Sequence, residues 1–301
     1  MSHRHGTATG AYRGRLLLAL MLALSVLVIQ VVGAWVSGSL ALLADAGHVL
    51  ADAGGVALAL VATTLAQRPP SLRRTFGWQR LEIVAAALNA LLLIGVAAFV
   101  LVEGVRRLAE PPDVESVPML AVALVGLAAN AAALRLLHGG QRESLNIRGA
   151  YLEVMADLLG SAAVVAAAVV ILTTGWQTAD PVASILIGLF ILPRTWSLLR
   201  DALDVLLEAT PRGVDLEDVR RHIVGVDGVR DVHDLHAWTI TSGLPVLSAH
   251  VVVDGKTLAE GHGGVVLDRL GECLSHHFDV EHSTFQLEAA GHRSHEGATH
   301  D

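Results

Sequence analysis

Cysteine is almost missing from this chain: Cys273 stands alone among 301 residues. A disulfide framework within one chain is therefore excluded, and so is a zinc site built from thiolates. Charge is scarce as well. Asp, Glu, Lys and Arg make up 17% of the residues while 53% are hydrophobic, and mean hydropathy is positive, a balance that no ordinary soluble domain shows. The composition is that of a membrane protein. The formal net charge of -8 arises mainly in the last third of the chain. Enzyme signatures are absent too: there is no nucleophile elbow, no phosphate-binding glycine loop and no H-E-x-x-H. His295-Glu296 with His300 misses that last spacing by one residue. Nothing points to an enzyme or to nucleic-acid binding.

What the chain has in abundance is apolar runs of bilayer length, about 20 residues each. They extend from Leu16 to near Val36, Leu40 to Ala66, about Ile83 to Val102, about Val117 to Leu137, Ala150 to Thr173, and from the Asp180-Pro181 helix start to about Leu192. The polar, basic segment 1–15 before the first run imitates a signal peptide, but that run exceeds the usual ~7–15 residues and further spans follow. Six transmembrane helices are expected, the first uncleaved. Arginine clusters at the N-terminus, in the second-to-third loop (Arg68, Arg73, Arg74, Arg80) and in the fourth-to-fifth loop (Arg142, Arg148). On the other side Arg106 and Arg107 are offset by Glu103, Glu110, Asp113 and Glu115. The positive-inside rule then places both termini in the cytoplasm of a multi-pass cell-membrane protein.

The second run, LALLADAGHVLADAGGVALALVATTLA, carries Asp45, His48 and Asp52. An ionisable group in hydrocarbon costs about 2.5 kcal/mol or more, so three in one span need partners or a role. His48 and Asp52 lie one helical turn apart and share a face. The fifth run repeats the device with Glu153 and Asp157. Side by side, the two helices would offer three carboxylates and one imidazole around one point, the ligand set of a divalent cation site. A polar cluster that merely locks two helices together is the competing reading. Asp45 is open between an outer role at this site and a water-facing helix end. Asn89 and Asn130, each alone in a span, read as interhelical hydrogen bonders.

Beyond Arg194 the composition changes. A polar helix, Ser197 to Glu208, leads to a compact region with helix 215–224, strand 229–241, a turn at Ser242-Gly243, strand 246–253, helix 256–276 and strand 280–288. That α-β-β-α-β order suggests a small ferredoxin-like α+β layer open on one face. The expected organisation is an N-terminal tail (1–15), a six-helix transmembrane domain (16–208), a cytoplasmic ferredoxin-like domain (209–288) and a disordered His-containing tail (289–301). Cys273 reads as a core residue of its helix.

Several motifs together resemble the cation diffusion facilitator family: SLALLADAGHVLAD in the second span, RGAYLEVMADLLGS in the fifth, the ADP start of the sixth, and HDLHAWTIT with LSAHVVV in the tail. The resemblance runs from about Leu16 to Glu288. It implies a proton-coupled exporter of Zn²⁺ or related divalent metals, working as a homodimer, with His48, Asp52, Glu153 and Asp157 at the transport-site positions. Zinc members generally carry His where this chain has Glu153. The harder set broadens the candidates toward Mn²⁺, Fe²⁺, Co²⁺ or Cd²⁺, with Zn²⁺ still the expected substrate because His48 supplies a borderline ligand and Zn²⁺ accepts tetrahedral N/O coordination; Glu153 is alternatively a proton acceptor beside a three-ligand site. In the tail the resemblance implies metal binding by His233, His250, His282, His262 and Glu288, with Zn²⁺ as regulatory ligand as well as substrate; no other cofactor is expected. His236, three residues from His233, points to the opposite face of a regular strand and is the weaker candidate. The loop SLRRTFGWQRLE has Arg74 and Trp78 where some relatives place a further metal site, so that site is expected to be absent. The alternative function is a membrane-anchored metal sensor that does not transport.

Overall fold

The computed structural model describes residues 8–138, 145–278, 280 and 282–292. The sequence expectations for 1–7, for the loop residues 139–144 and for His295 and His300 lie outside the described residues. Six long helices come first: α1 (Ala8–Ser37), α2 (Leu40–Ala66), α3 (Leu81–Ala109), α4 (Ser116–His138), α5 (Leu145–Thr174) and α6 (Ala179–Leu206). Alanine and leucine dominate them, and they are apolar on nearly all sides, as lipid-embedded helices must be. Five, α2 to α6, are long and apolar enough to cross a membrane, and α1 adds the apolar stretch Met21–Ser37. The chain is a multi-pass membrane protein.

Where the sequence suggested a sixth span ending near Leu192 and a separate polar helix, α6 runs unbroken through Pro193 to Leu206. Proline there forfeits one ladder hydrogen bond without supplying a break signal strong enough to end the helix. The start of α2 depends on α6. Asp180, fully buried, accepts hydrogen bonds from Ser39 Oγ (2.5 Å), the Leu40 amide (2.8 Å) and the Ala41 amide (3.1 Å). The carboxylate thus satisfies amides that a helix N-terminus leaves unpaired, and its charge complements the positive end of the helix dipole. This fixes the rotation and depth of α2, and with them its ionisable residues.

Two compact units are distinguishable. The first draws on Met1–Leu58 and Leu88–Leu198, the second on Ala59–Ala87 and Leu199–Asp301. In the first, small side chains such as Ala34, Ala41, Ala44, Ala123, Ala167 and Ala168 pack with Met119, Val164 and Ile171 to form the interior. Close helix approach through small residues is the ordinary packing device in lipid, where no hydrophobic force drives helices together.

The second unit contains α7 (Leu216–Val224), β1 (Val229–Thr239), β2 (Pro245–Val253), α8 (Gly255–Ala259), α9 (Gly263–Phe278) and β3 (His282–Ala289). The strands lie in the order β1-β2-β3, with β1 and β2 antiparallel and β2 and β3 parallel, the latter joined by the helical crossover. Val219, Ile223, Leu247, Ala249, Val251, Val266, Leu270 and Leu274 form the core between helices and sheet. The expected α-β-β-α-β layer is present, with one difference: the single helix expected over 256–276 is two. Gly261 at φ +75° sits between α8 and α9, a backbone conformation open to glycine and costly for other residues. β1 is irregular as well. His233 pairs with His250 but His236 pairs with Ser248, so three residues on β1 oppose two on β2. Asp234, at φ 51°, occupies this β-bulge.

Candidate metal centres

His48 and Asp52 face Asp157 across α2 and α5. His48 Nε2 lies 3.5 Å from Asp52 Oδ2 and 3.6 Å from Asp157 Oδ1, and a ligand atom from each residue falls within 4.8 Å of the others. These separations are long for hydrogen bonds, and Asp52 Oδ2, Asp157 Oδ1 and His48 Nδ1 are buried atoms without a hydrogen-bond partner. Ligands at about 2.0–2.1 Å from a tetrahedral Zn²⁺ stand roughly 3.3–3.4 Å apart, close to the spacing found. A cluster serving only to tie helices together would close its hydrogen bonds; this one leaves them open.

Asp45, one turn earlier on α2, is buried at 2% exposure and faces neither water nor lipid. Gln30 Nε2 of α1 donates to its Oδ2 at 2.5 Å, and Ser161 Oγ of α5 donates to the same oxygen at 3.2 Å. Asn130 Nδ2 of α4 donates in turn to Ser161 Oγ at 3.2 Å. Four helices are linked by this chain of polar groups, and Asn130 is the interhelical hydrogen bonder expected of it. A Cβ on Gly160 would stand 2.9 Å from Asp45 Oδ1, so only glycine lets α5 approach this carboxylate as closely as it does. Exposure falls along the cluster. The side chains of Asp52, His48 and Asp157 are 27%, 12% and 12% exposed, against 2% or less for Asp45, Ser161 and Gln30 as residues. The site opens toward the C-terminal end of α2 and the N-terminal end of α5, and the Asp45 network closes it on the other side.

Glu153 is not among the three converging groups. Its Oε2 accepts from Arg194 Nη2 of α6. Asp52 remains within side-chain reach of Glu153, so the ion pair borders the cluster. The sequence expectation put Glu153 in the ligand set beside Asp157, whereas the structure pairs it with Arg194 instead; the available signal was an arginine directly after the proline of an otherwise apolar span. Asp180, Gln30 and Ser161 were missed for the same reason, since each acts on a residue distant in the chain.

The second centre lies on the sheet face turned away from the helices. His250 Nδ1 is 2.7 Å from Glu288 Oε1, and His233 Nε2 is 3.2 Å from Glu288 Oε2. The two imidazoles stand edge to face at 5.2 Å. Glu288 and His233 are almost fully buried, and all three residues converge within metal-binding range. Strand register explains the convergence: His250 opposes His233, and Glu288 lies opposite Val252, one same-face position further along β2. The bulge at Asp234 adds a residue and so returns His236 to this same face, correcting the expectation that it points away. His236 is about half exposed and faces Asp234 Oδ1 at 3.6 Å.

The remaining predicted ligands are not brought in. His262 lies in the break between α8 and α9, largely exposed, with Glu260 Oε2 at 3.4 Å. His282 starts β3 opposite Val246, where its ring meets Phe76 edge-on at 5.5 Å. In the loop before α3, Arg74 stacks over the Trp78 ring at 3.7 Å, a cation–π contact in place of a ligand pair. Cys273 is half-buried on α9, where desolvation pushes its thiol up and keeps it protonated and inert near neutral pH.

Two family models match this chain: the cation efflux transmembrane domain over residues 16–207 and the cation efflux protein cytoplasmic domain over 211–290. The metal cation efflux system protein CzcD of Cupriavidus metallidurans is 46% identical over 298 residues, covering 99% of this chain and 93% of its own. The cadmium, cobalt and zinc/H(+)-K(+) antiporter of Bacillus subtilis is 38% identical, covering 97% and 93%. The zinc transporter ZitB of Escherichia coli is 40% identical, covering 91% and 87%. With a transmembrane and a cytoplasmic family domain in sequence, and relatives matched along nearly their whole length, the chain belongs to the cation diffusion facilitator family of divalent-metal efflux proteins.

Proposed function

We propose that this protein exports Zn²⁺ from the cytoplasm in exchange for protons, by alternating access, and that the ion is held by His48, Asp52 and Asp157. The observation that carries the reading is the unsatisfied convergence of one imidazole and two carboxylate oxygens inside a membrane-spanning bundle. Such groups bind a metal only when deprotonated, so ion and protons compete for the same lone pairs and one gradient can drive the other. Charge favours the exchange. Two carboxylates cancel the charge of one divalent ion, while Glu153 and Arg194 neutralise each other. The desolvated site is then near neutrality with either metal or protons aboard. Relatives named for zinc, cadmium and cobalt support a divalent substrate, and one named as an H⁺-linked antiporter supports the exchange.

The gradient of exposure supports a site open on the side where arginine-rich loops accumulate, which the positive-inside rule assigns to the cytoplasm. Reorientation would open the Asp45 side and close the other. At the sheet, His233, His250 and Glu288 form a second, regulatory metal site in a homodimer, biasing it toward the transport-ready state.

Metal uptake into inverted vesicles under a pH gradient tests the reading. The intact chain is expected to accumulate Zn²⁺, with accumulation lost in Asp52→Ala and in Asp157→Ala. Uptake that survives both substitutions eliminates this site, and no uptake by the intact chain favours a membrane-anchored sensor.

A further inference from the structure

We infer that Arg194 is a positioning residue that holds Glu153 out of the metal's ligand set and thereby sets both affinity and metal preference at the transport site. The inference rests on the membrane site proposed above. Two observations carry it. Glu153 lies on the same helix as Asp157 and one turn before it, the geometry in which both side chains address one point. Yet the cluster within metal-binding range contains His48, Asp52 and Asp157 and leaves Glu153 out, because its carboxylate is turned to the Arg194 guanidinium.

The choice of arginine matters. A guanidinium stays charged and presents a planar fork of donors that a carboxylate fits, so the pair survives where a lysine could lose its proton. Arg194 is also about two-thirds exposed on its side chain while Glu153 is about one-quarter exposed. The guanidinium thus meets Glu153 at the exposed edge of the cluster. With the pair closed, the ion meets one neutral imidazole and two carboxylates. With the pair broken, a third carboxylate enters, adding negative charge and a hard oxygen ligand. Tight binding of that kind would slow release, and it would raise the standing of oxygen-preferring ions such as Mn²⁺ relative to Zn²⁺. Arg194 keeps the site loose enough to turn over and biased toward a borderline metal.

The test is a double-substitution cycle on the full-length protein in detergent, with His233→Ala and His250→Ala present throughout so that only the membrane site titrates. Zn²⁺ and Mn²⁺ affinities are measured together with the visible absorption of bound Co²⁺, which reports ligand number and type. Arg194→Gln is expected to raise Zn²⁺ affinity about tenfold, the scale of outer-shell effects on metals, to raise Mn²⁺ affinity more, and to change the Co²⁺ spectrum. Arg194→Lys should give less than about a third of that gain. In the Glu153→Gln background the same Arg194→Gln change should give no gain and no spectral change, since the carboxylate to be released is gone. A gain that persists without Glu153, or an Arg194→Gln protein with unchanged or weaker binding and an unaltered spectrum, overturns the inference. Asp157→Asn separates the two levels. If it leaves the Co²⁺ spectrum intact, the membrane site itself is wrong and this inference falls with it; if it abolishes the spectrum while the cycle is additive, only the role of Arg194 is refuted.

Discussion

The two histidine–carboxylate centres use similar ligands and differ in how those ligands are satisfied. On the sheet, Glu288 bridges both imidazoles, with contacts of 2.7 and 3.2 Å. In the membrane-spanning helices, His48 Nε2 stands 3.5 and 3.6 Å from the Asp52 and Asp157 carboxylates, and three polar atoms of the trio have no hydrogen-bond partner. Unpaired polar groups in a low-dielectric interior cost free energy that only a ligand or protons can offset. The membrane centre leaves polar atoms for an incoming ion or protons to satisfy, whereas on the sheet one carboxylate already contacts both imidazoles. The proposed transport role suits the first arrangement and the proposed regulatory role the second.

The sharpest way to break this comparison is to remove a membrane ligand. Asp157→Ala should lower Zn²⁺ transport at least about 100-fold in vesicle flux assays, because even outer-shell partners of metal ligands are worth about 10–100-fold. Asp180→Ala comes next. Losing a buried carboxylate that accepts three hydrogen bonds should cost about 3 kcal/mol, read as a lowered unfolding temperature and weaker Zn²⁺ binding as α2 loses its anchor. Gly160→Ala should cost about 1–3 kcal/mol, since the new methyl meets Asp45 Oδ1, and should reduce flux several-fold with metal stoichiometry unchanged. His250→Ala should raise the metal concentration for half-maximal flux several-fold while sparing flux at saturation; complete loss of transport would make the sheet centre structural. The smallest effect is expected for His262→Ala with His282→Ala. Both side chains lie on the surface, so stability should change by less than about 0.5 kcal/mol and bound metal per chain should be unaltered.

The parts of this arrangement that were legible in the sequence are those set by local periodicity. His48 and Asp52 share a face because they are one turn apart, Asp157 was marked out as an ionisable residue within an apolar span, and the apolar runs become helices because lipid permits little else. The illegible parts are decided by residues far apart in the chain. Asp180 caps a helix that begins about 140 positions earlier, and Arg194 claims Glu153 from a different span. The placement of His236 failed for a subtler reason. Alternation along a strand assumes no bulge, and a single extra residue at Asp234 reverses every later side chain. The glycine-rich run Glu260-Gly261-His262-Gly263-Gly264 did carry a visible signal for the break between α8 and α9, and the helical pattern around it masked that signal.

The most direct test of the account is the X-ray absorption spectrum of Zn²⁺ bound to the full-length protein with His233→Ala and His250→Ala in place, compared with the same protein carrying Asp157→Ala. The expected result is a coordination shell of nitrogen and oxygen with one imidazole, and loss of stoichiometric zinc when Asp157 is removed. Two or more imidazoles in that shell, or zinc retained without Asp157, would contradict it.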